Sequence, residues 1–493
     1  MEPTSGRAPS LGVSLLPVLV LVALLSASVA LFGDGSSSGP NQIALILAAG
    51  VGILIGVLHG FSWTTLEQGI VHGISLSLGA VLILLTVGSL VGSWILAGIV
   101  PTMIYYGLEL LTPSVFYPSA CILCSLVSLA TGSSWTTAGT VGVALIGIAV
   151  AQDLNTGLAA GAVISGAYFG DKMSPLSDTT NLAPAMAGTD LFTHIRHMVW
   201  TTAPSITLAV LLFAVIGFSS APPRDTSSLN AILDALGGTF SLGPHLLLPV
   251  ALVLVLVIKK MPAFPALLIG SLVGCLFAVI FQREAVLAYV NQPELPQWVA
   301  LGKGAWMALF DGYKLQSGSA ALDELLSRGG MSGMLSTVWL IVSAMMFGAV
   351  METTGMLQRI AASILGMVTG TGSLVAATLA TSFGMNIVAS DQYIAIVLPG
   401  RMFRAEYARR RLHPKNLSRA LEDAGTLTSA LVPWNTCGAF MAQTLGVATF
   451  TYAPFAFFNL INPLVSLAYG FTGFTIEKLP DEAAAGPEAA AVK

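Results

Sequence analysis

Residues 170–181, which read GDKMSPLSDTTN, bring together side chains that could bind a small cation. The carboxylate, amide and hydroxyl oxygens of this stretch belong to Ser177, Asp178, Thr179, Thr180 and Asn181. Oxygen donors suit a hard cation such as Na⁺ better than they suit a soft transition metal. We therefore predict a Na⁺ site centred on Asp178.

The same stretch contains a charged pair, Asp171 and Lys172, inside an otherwise apolar segment. Ionisable residues in such segments are expensive to bury and point to a function. We expect Lys172 to compensate the charge of Asp171 or Asp178 when no cation is bound, and Asp171 to be an ion ligand. A carboxylate that holds either H⁺ or Na⁺, but not both, is the simplest device for exchanging the two ions. The alternative is a fixed Asp171–Lys172 ion pair that holds a bend.

Three further polar segments interrupt apolar runs and supply more oxygen donors. They read TGSSWTTAGT (131–140), TSFGMNIVASDQ (381–392) and VPWNTCG (432–438). From the last segment, Asn435 and Thr436 are candidates to complete the ion site or to bind an organic substrate. The secondary candidates in the other two are Ser133, Ser134, Thr136, Asn386, Ser390 and Asp391. The alternative role of these groups is to satisfy backbone atoms where a helix breaks.

The composition indicates what holds these residues in place. The chain has 493 residues, of which 55% are hydrophobic and 9% charged, whereas soluble domains carry about 25% charged residues. No Lys or Arg occurs between Arg7 and Lys172. We therefore predict an all-α polytopic membrane protein in a lipid bilayer. The small net charge of −4 argues against a nucleic-acid partner.

Apolar runs of about 20 residues, long enough to cross a bilayer, divide into simple and interrupted segments. The simple runs lie near 10–32, 42–59, 74–99, 200–219, 244–258, 263–282, 331–353 and 452–475. We predict re-entrant hairpins at 114–151 and 371–400, and broken helices at 156–190 and 416–447. This gives about ten spans. Paired broken helices in two halves of a transporter are the best sequence pointer to its binding site.

The order of span, hairpin, broken helix and span occurs twice, which predicts an internal repeat. Gly170 and Gly425, like Ser174 and Ser429, lie 255 positions apart. We expect five regions. They are N-terminal scaffold spans (1–60), a first repeat (61–219), connecting spans with an external loop (220–330), a second repeat (331–475) and a disordered cytoplasmic tail (476–493).

Basic residues predict the orientation, because they favour the cytoplasmic side of a membrane. The residues that follow the second hairpin are Arg401, Arg404, Arg409, Arg410, Arg411, Lys415 and Arg419. The equivalent place after the first hairpin, 151–157, has no basic residue, so the repeats are predicted to be inverted. Both termini then lie inside, and 220–243 and 283–330 lie outside. Residues 401–413 are either an amphipathic arm on the membrane face or a solvated connector.

The run FGDKMSPLSDTTNLAPAMAGTDLFTHIRHM (169–198) strongly resembles the signature region of the NhaC-type sodium/proton antiporter family, part of the ion transporter superfamily. The run VPWNTCGAFMAQTLGV (432–447) is also similar, and the resemblance covers about 40–475. It implies Na⁺/H⁺ exchange without a cofactor, by alternating access in the cytoplasmic membrane. By analogy with superfamily carriers, a core of 114–200 and 371–447 would move like an elevator against a dimerising scaffold.

The hairpin tips depart from one branch of that superfamily. The tips read Ser133-Ser134-Trp135-Thr136 and Gly384-Met385-Asn386, whereas the dicarboxylate branch uses Ser-Asn-Thr. This departure argues against a double sodium site of that kind.

The family also includes malate–lactate exchangers. The alternative function is therefore a Na⁺-coupled carrier of small carboxylates or of amino acids. Lys172 and the helix N-termini at the breaks would then bind an anionic group. An intramembrane aspartyl protease is disfavoured, because a lysine beside Asp171 would disrupt a proton-sharing pair of aspartates. A passive channel is disfavoured by the paired broken helices. We therefore expect a transporter and not an enzyme.

Overall fold

The computed structural model describes residues 6–32, 36, 39–219, 226–315, 323 and 326–479. Helices dominate these residues, and the pairing of extended backbone among them is limited to one isolated bridge, between Leu412 and Lys478. The all-α prediction is confirmed for the described part of the chain. Of the tail that we predicted to be disordered, 476–493, residues 480–493 lie outside the described residues. The prediction is wrong for 476–479, because Glu477 and Leu479 form backbone hydrogen bonds with His413 and Arg411.

Eight described helices are long and apolar enough to cross a membrane, as expected of a polytopic membrane protein. They are Leu11–Phe32, Pro40–Leu58, Leu78–Leu96, Ser134–Ala151, Leu191–Ser219, Ala263–Phe281, Ser332–Thr353 and Thr371–Val388. Two bent pairs raise the number to ten if each pair is one span. The pairs are Leu233–Thr239 with Pro244–Ile258, bent by 87°, and Thr449–Phe455 with Phe457–Thr472, bent by 55°.

Shorter helices fill part of the chain that we expected to be external loop. Within 220–243 lies Thr226–Thr239, and within 283–330 lie Arg283–Val290 and Gln297–Asp311. Helices below span length escape a search for apolar runs of 20 residues, and the external position of these segments stays a prediction. The other short helices are Trp63–Leu76, Ile99–Leu110 and Met356–Leu365.

The first hairpin and the first broken helix lie where the sequence predicts them. Hairpin 1 consists of Pro113–Thr131 and, after a turn at Gly132 and Ser133, Ser134–Ala151. Its second arm contains a π-helical turn at Ala138–Gly142. Broken helix 1 consists of Thr156–Met173 and Asp178–Ala187. Pro175 lies in the break, where its missing N–H removes a helical hydrogen bond.

The second hairpin and the second broken helix repeat this order. Hairpin 2 consists of Thr371–Val388 and Gln392–Arg409. Broken helix 2 begins with Pro414–Leu421, continues through a π-helical turn at Glu422–Thr426 and a 3₁₀ turn at Ser429–Leu431, and ends with Thr436–Leu445.

One boundary in this half differs from prediction. Residues 401–409, expected to start a separate arm or connector, continue the second arm of hairpin 2. Glu406 stabilises this last turn, since it accepts hydrogen bonds from Arg409 and Arg410.

Close backbone packing fixes hairpin 1 against broken helix 1. A Cβ atom added at Gly166 would lie 2.1 Å from the carbonyl oxygen of Cys121, and one at Gly170 would lie 2.3 Å from the backbone nitrogen of Leu129. Small residues allow helices in membranes to approach this closely. The helix that carries Asp171 is therefore held by backbone contacts that leave no room for a side chain.

We predict that Gly166→Ala lowers the thermal stability of the purified protein, because overpacking of a tight contact costs about 1–3 kcal/mol. The matched control is Gly50→Ala, since a Cβ atom at Gly50 would meet nothing within 4 Å. Thermal unfolding in detergent, followed by circular dichroism, measures both variants. Equal melting temperatures for the two variants would contradict the packing argument.

Candidate cation site

The tip of hairpin 1 touches the break in broken helix 1. Gly132 has a φ of +70°, and a Cβ atom there would lie 2.7 Å from the Cβ of Leu176 and 3.0 Å from the backbone nitrogen of Ser177. Glycine meets both the left-handed conformation and the close approach. The next residue, Ser133, caps the second arm by accepting a hydrogen bond from the backbone N–H of Thr136. The Thr136 hydroxyl also donates to Ser133 Oγ, so Thr136 supports the tip.

Asp171 connects this tip to the broken helix. Its Oδ2 accepts hydrogen bonds from the Ser134 hydroxyl at 2.6 Å and from the Ser134 backbone N–H at 3.2 Å. The hydroxyl of Ser177 lies beside the same carboxyl group. Two elements that are distant in sequence thus place oxygen atoms around Asp171.

Asp391 has a similar place in the second half, although the roles are exchanged between hairpin and broken helix. It caps the second arm of hairpin 2 by accepting from the backbone N–H groups of Tyr393 and Ile394. Its other carboxyl oxygen lies 3.4 Å from the hydroxyl of Thr436 on broken helix 2. The backbone N–H of Thr436 donates to the carbonyl of Ser390. In each half, therefore, a carboxylate and a hydroxyl join a hairpin tip to a break.

One cavity of about 720 Å³ joins these groups. The predicted site residues that line it are Ser133, Ser134, Asp171, Ser177, Asp178, Thr179, Asp391 and Thr436. Asp178 is exposed to this space. Among the described residues that line the cavity, the one basic side chain is Lys260. Three carboxylates and several hydroxyls thus face one another across a space that can hold a hydrated ion.

The other predicted residues do not line the cavity, and several of them satisfy backbone groups freed by the breaks. The Thr180 hydroxyl bonds to the carbonyls of Asp171 and Lys172, and the Asn181 amide bonds to those of Pro175 and Ser177. Broken helices survive in lipid only where such groups find partners.

The amides of the second half form a buried group of their own. Asn386 donates to the carbonyl of Gly425 at 2.7 Å, and Asn435 donates to the side chain and the carbonyl of Asn386. Asn435 also caps the second part of broken helix 2 at Cys437. These two residues therefore tie hairpin 2 to broken helix 2 and do not line the cavity.

Lys172 has a different partner from the two that we expected. Its ammonium group forms a salt bridge with Asp423 of broken helix 2, and both side chains are 0% exposed. Asp423 also accepts hydrogen bonds from Thr201 at 3.1 Å and from Asn462 at 2.7 Å. Neither Asp171 nor Asp178 forms a salt bridge among the described residues, so the expected Asp171–Lys172 pair is corrected to Lys172–Asp423.

Sequence reasoning missed the acidic pair Glu422 and Asp423, and it misplaced Arg419. Glu422 is fully buried and accepts a hydrogen bond from Thr179 at 3.0 Å. Arg419, which we counted as a cytoplasmic surface charge, is 1% exposed and lies 4.0 Å from Asp423. The sequence did contain a signal for this pair. Glu422 and Asp423 are acidic residues inside the apolar segment 416–447, and they lie just before Gly425, the residue that aligns with Gly170.

Aromatic packing also joins the two halves. The indole ring of Trp135 at the tip of hairpin 1 stacks on Phe440 of broken helix 2, with ring centroids 4.0 Å apart and planes inclined by 13°. This contact and the Lys172–Asp423 pair are two separate connections between the halves.

The fold and the site define a polytopic membrane protein in which two hairpin tips and two broken helices enclose an acidic cavity. The model of the Na⁺/H⁺ antiporter family matches residues 166–474. The chain is 39% identical over 439 residues to the Na⁺/H⁺ antiporter NhaC of Alkalihalophilus pseudofirmus, which covers 89% of this chain and 91% of that protein. The chain belongs to the Na⁺/H⁺ antiporter family, as its resemblance implied.

Two further relatives are named for the exchange of organic substrates. The malate-2H⁺/Na⁺-lactate antiporter of Bacillus subtilis is 38% identical over 435 residues, which is 88% of this chain and 90% of that protein. The arginine/ornithine antiporter ArcD of Halobacterium salinarum is 35% identical over 493 residues, which is 97% of this chain and 96% of that protein.

We predict that Lys172→Met strongly destabilises the protein, because it leaves Asp423 buried without its cation, a loss of about 3–5 kcal/mol. The double variant Lys172→Met with Asp423→Leu should recover most of the stability, since apolar pairs replace buried ion pairs at little cost. Thermal unfolding of the purified variants measures the difference. A double variant less stable than the single one would show that the remaining polar groups, and not the charge pairing, dominate.

Proposed function

We propose that this protein exchanges Na⁺ for H⁺ across the cytoplasmic membrane. The observation that carries the proposal is the cavity wall, where Asp171, Asp178 and Asp391 converge with hydroxyl groups and where Lys260 is the one basic lining residue among those described. Carboxylate and hydroxyl oxygens are ligands for a hard cation. Membership of the Na⁺/H⁺ antiporter family supports the same reading.

The Lys172–Asp423 salt bridge supports cation binding in a second way. Lys172 follows Asp171 directly in the chain, yet its ammonium group pairs with Asp423 of broken helix 2. Lys172 therefore does not compete with a cation or a proton for the carboxylates of the cavity. An organic anion would need a cationic partner, and the described cavity wall offers it little beyond Lys260.

In the proposed cycle, Na⁺ and H⁺ compete for the same carboxylates. A bound Na⁺ takes oxygen ligands from Asp171 and Asp178, and from Ser177, Ser134 or Thr436 according to the position of the hairpin tips. When Na⁺ leaves on the other side of the membrane, protons bind to these carboxylates for the return step. The hydroxyl of Thr179 donates a hydrogen bond to Glu422. The side chains of Thr180, Asn181 and Asn435 form hydrogen bonds that stabilise the breaks.

Alternating access would follow from movement of the hairpins and broken helices relative to the remaining spans. The two breaks face one cavity, so a single rigid displacement could expose its contents to either side. We retain the inverted repeat, the cytoplasmic termini and an elevator-like homodimer as parts of this proposal. The repeated order of hairpin and broken helix supports the repeat.

A second candidate is exchange of a cationic amino acid. A cavity of about 720 Å³ is far larger than a dehydrated Na⁺ requires, and its acidic wall suits an ammonium or guanidinium group. The similarity to an arginine/ornithine antiporter supports this candidate. Exchange of malate and lactate, named for another relative, fits the acidic wall less well.

We predict that Asp171→Asn and Asp178→Asn each lower Na⁺/H⁺ exchange by at least about tenfold, because each removes a negative charge close to the bound cation. The control is Asp153→Asn, since Asp153 is exposed in the turn that precedes broken helix 1 and does not line the cavity. The assay is Na⁺-induced collapse of an imposed pH gradient in everted vesicles. If both cavity variants exchange at the wild-type rate, the site assignment is wrong.

The two candidate functions make different predictions for proteoliposomes that contain the purified protein. We expect Na⁺ alone to dissipate the pH gradient, and neither arginine nor malate to be required. Uptake of labelled arginine against internal ornithine, without a Na⁺-driven change in the pH gradient, would favour the cationic amino-acid exchanger. If Na⁺ alone has no effect and malate with Na⁺ does, the Na⁺/H⁺ proposal fails.

A further inference from the structure

A second polar region lies apart from the cation cavity, between broken helix 2 and the helix Phe457–Thr472. Asn459, Asn462 and Ser466 occupy one face of that helix, at positions i, i+3 and i+7, and all three are fully buried. Asn462 donates to Asp423, and Ser466 lies beside the same carboxyl group. We call Arg419, Asp423, Asn462 and Ser466 the polar seam.

The polar seam contains four buried atoms that no protein group satisfies. Within the described chain, these atoms without a hydrogen-bond partner are Arg419 Nε, Asp423 Oδ2, Asn462 Oδ1 and Ser466 Oγ. All four residues are at most 1% exposed. Leaving a buried donor or acceptor unsatisfied costs about 1–3 kcal/mol, and more for charged groups. So many such atoms in one place require a ligand.

The charges around the polar seam restrict what this ligand can be. Asp423 is already paired with Lys172, and Arg419 lies on its other side. Two flanking cations repel a further cation, such as Na⁺ or hydronium, and Asp423 repels an anion. A neutral ligand that both donates and accepts hydrogen bonds fits all four atoms, and water is the smallest one.

The geometry of Arg419 and Asp423 suits a bridging water. Arg419 Nε and Asp423 Oδ2 lie 4.0 Å apart, too far for a direct hydrogen bond. A water molecule bound to both would have Ser466 Oγ as a further partner, within the two to four partners that buried waters have. Arg419 Nη1 also donates to Thr475 Oγ1 at 2.8 Å, and Thr475 is half-buried. The polar seam therefore has a connection toward the protein surface.

We propose that the polar seam is an internal water site that solvates the Lys172–Asp423 pair. The Lys172–Asp423 pair can stay intact when the two broken helices move together, but the hydrogen bond from Asn462 on Phe457–Thr472 to Asp423 must then break. Water at Asp423 can replace that bond during transport. Only this last step rests on the proposed function, and the water site stands without it.

Radiolytic hydroxyl labelling of the purified protein tests the water site directly. The reporter is Tyr407, which is 1% exposed and interacts electrostatically with Arg419. We expect Tyr407 to be labelled in the wild type despite its burial, and the labelling to fall in Ser466→Ala. Labelling should persist in Ser466→Thr, which keeps the hydroxyl, and in the control Thr472→Val on the exposed face of the same helix. An unlabelled Tyr407 in the wild type, or equal labelling in Ser466→Ala, overturns the proposal.

Transport kinetics test the role of this water. In proteoliposomes we expect Ser466→Ala to lower the turnover of exchange several-fold and to leave the KM for Na⁺ unchanged, because the polar seam does not line the cavity. Ser466→Thr should restore turnover. Unchanged turnover in Ser466→Ala contradicts the role in transport. Absence of any Na⁺-dependent exchange in the wild type, together with the expected labelling, would reject the Na⁺/H⁺ proposal and leave the water site supported.

Discussion

The salt bridge between Lys172 and Asp423 is the interaction on which the rest of the site depends. It joins the two broken helices at a point where both side chains are completely buried. A charge at such a place is tolerated only with a partner and further hydrogen bonds, and Thr201 and Asn462 supply those to Asp423. Because Lys172 pairs with Asp423 of broken helix 2, its ammonium group does not occupy the acidic residues of the cavity.

Two broken helices impose a second constraint, since each break frees backbone groups that lipid cannot satisfy. Thr180 and Asn181 bond to carbonyls around the first break, and Asn435 caps the helix after the second. The same breaks bring the hairpin tips, with Ser134 and Asp391, onto Asp171 and Thr436. The polar residues thus divide into those that maintain the breaks and those that face the cavity.

This division bears on how one fold can serve relatives that are named for different substrates. The groups that hold the breaks and the central salt bridge are set back from the cavity, so they can stay constant while the wall changes. The wall itself has space beyond a single ion. Selectivity would then depend on the few side chains of the wall, such as Asp178 and Thr436, and not on the architecture.

The sequence by itself determined the class of protein, the places of both hairpins and both breaks, and the carboxylates Asp171, Asp178 and Asp391. Long apolar runs and prolines at the breaks are local signals, and local signals can be read along the chain. Only the tertiary structure decided which of these groups meet. Lys172 and Asp423 are 251 positions apart, and no local pattern distinguishes that pairing from one with the adjacent Asp171. Arg419 shows the same limit, since a basic residue near a span end has the same sequence signature whether it faces water or an aspartate in the interior.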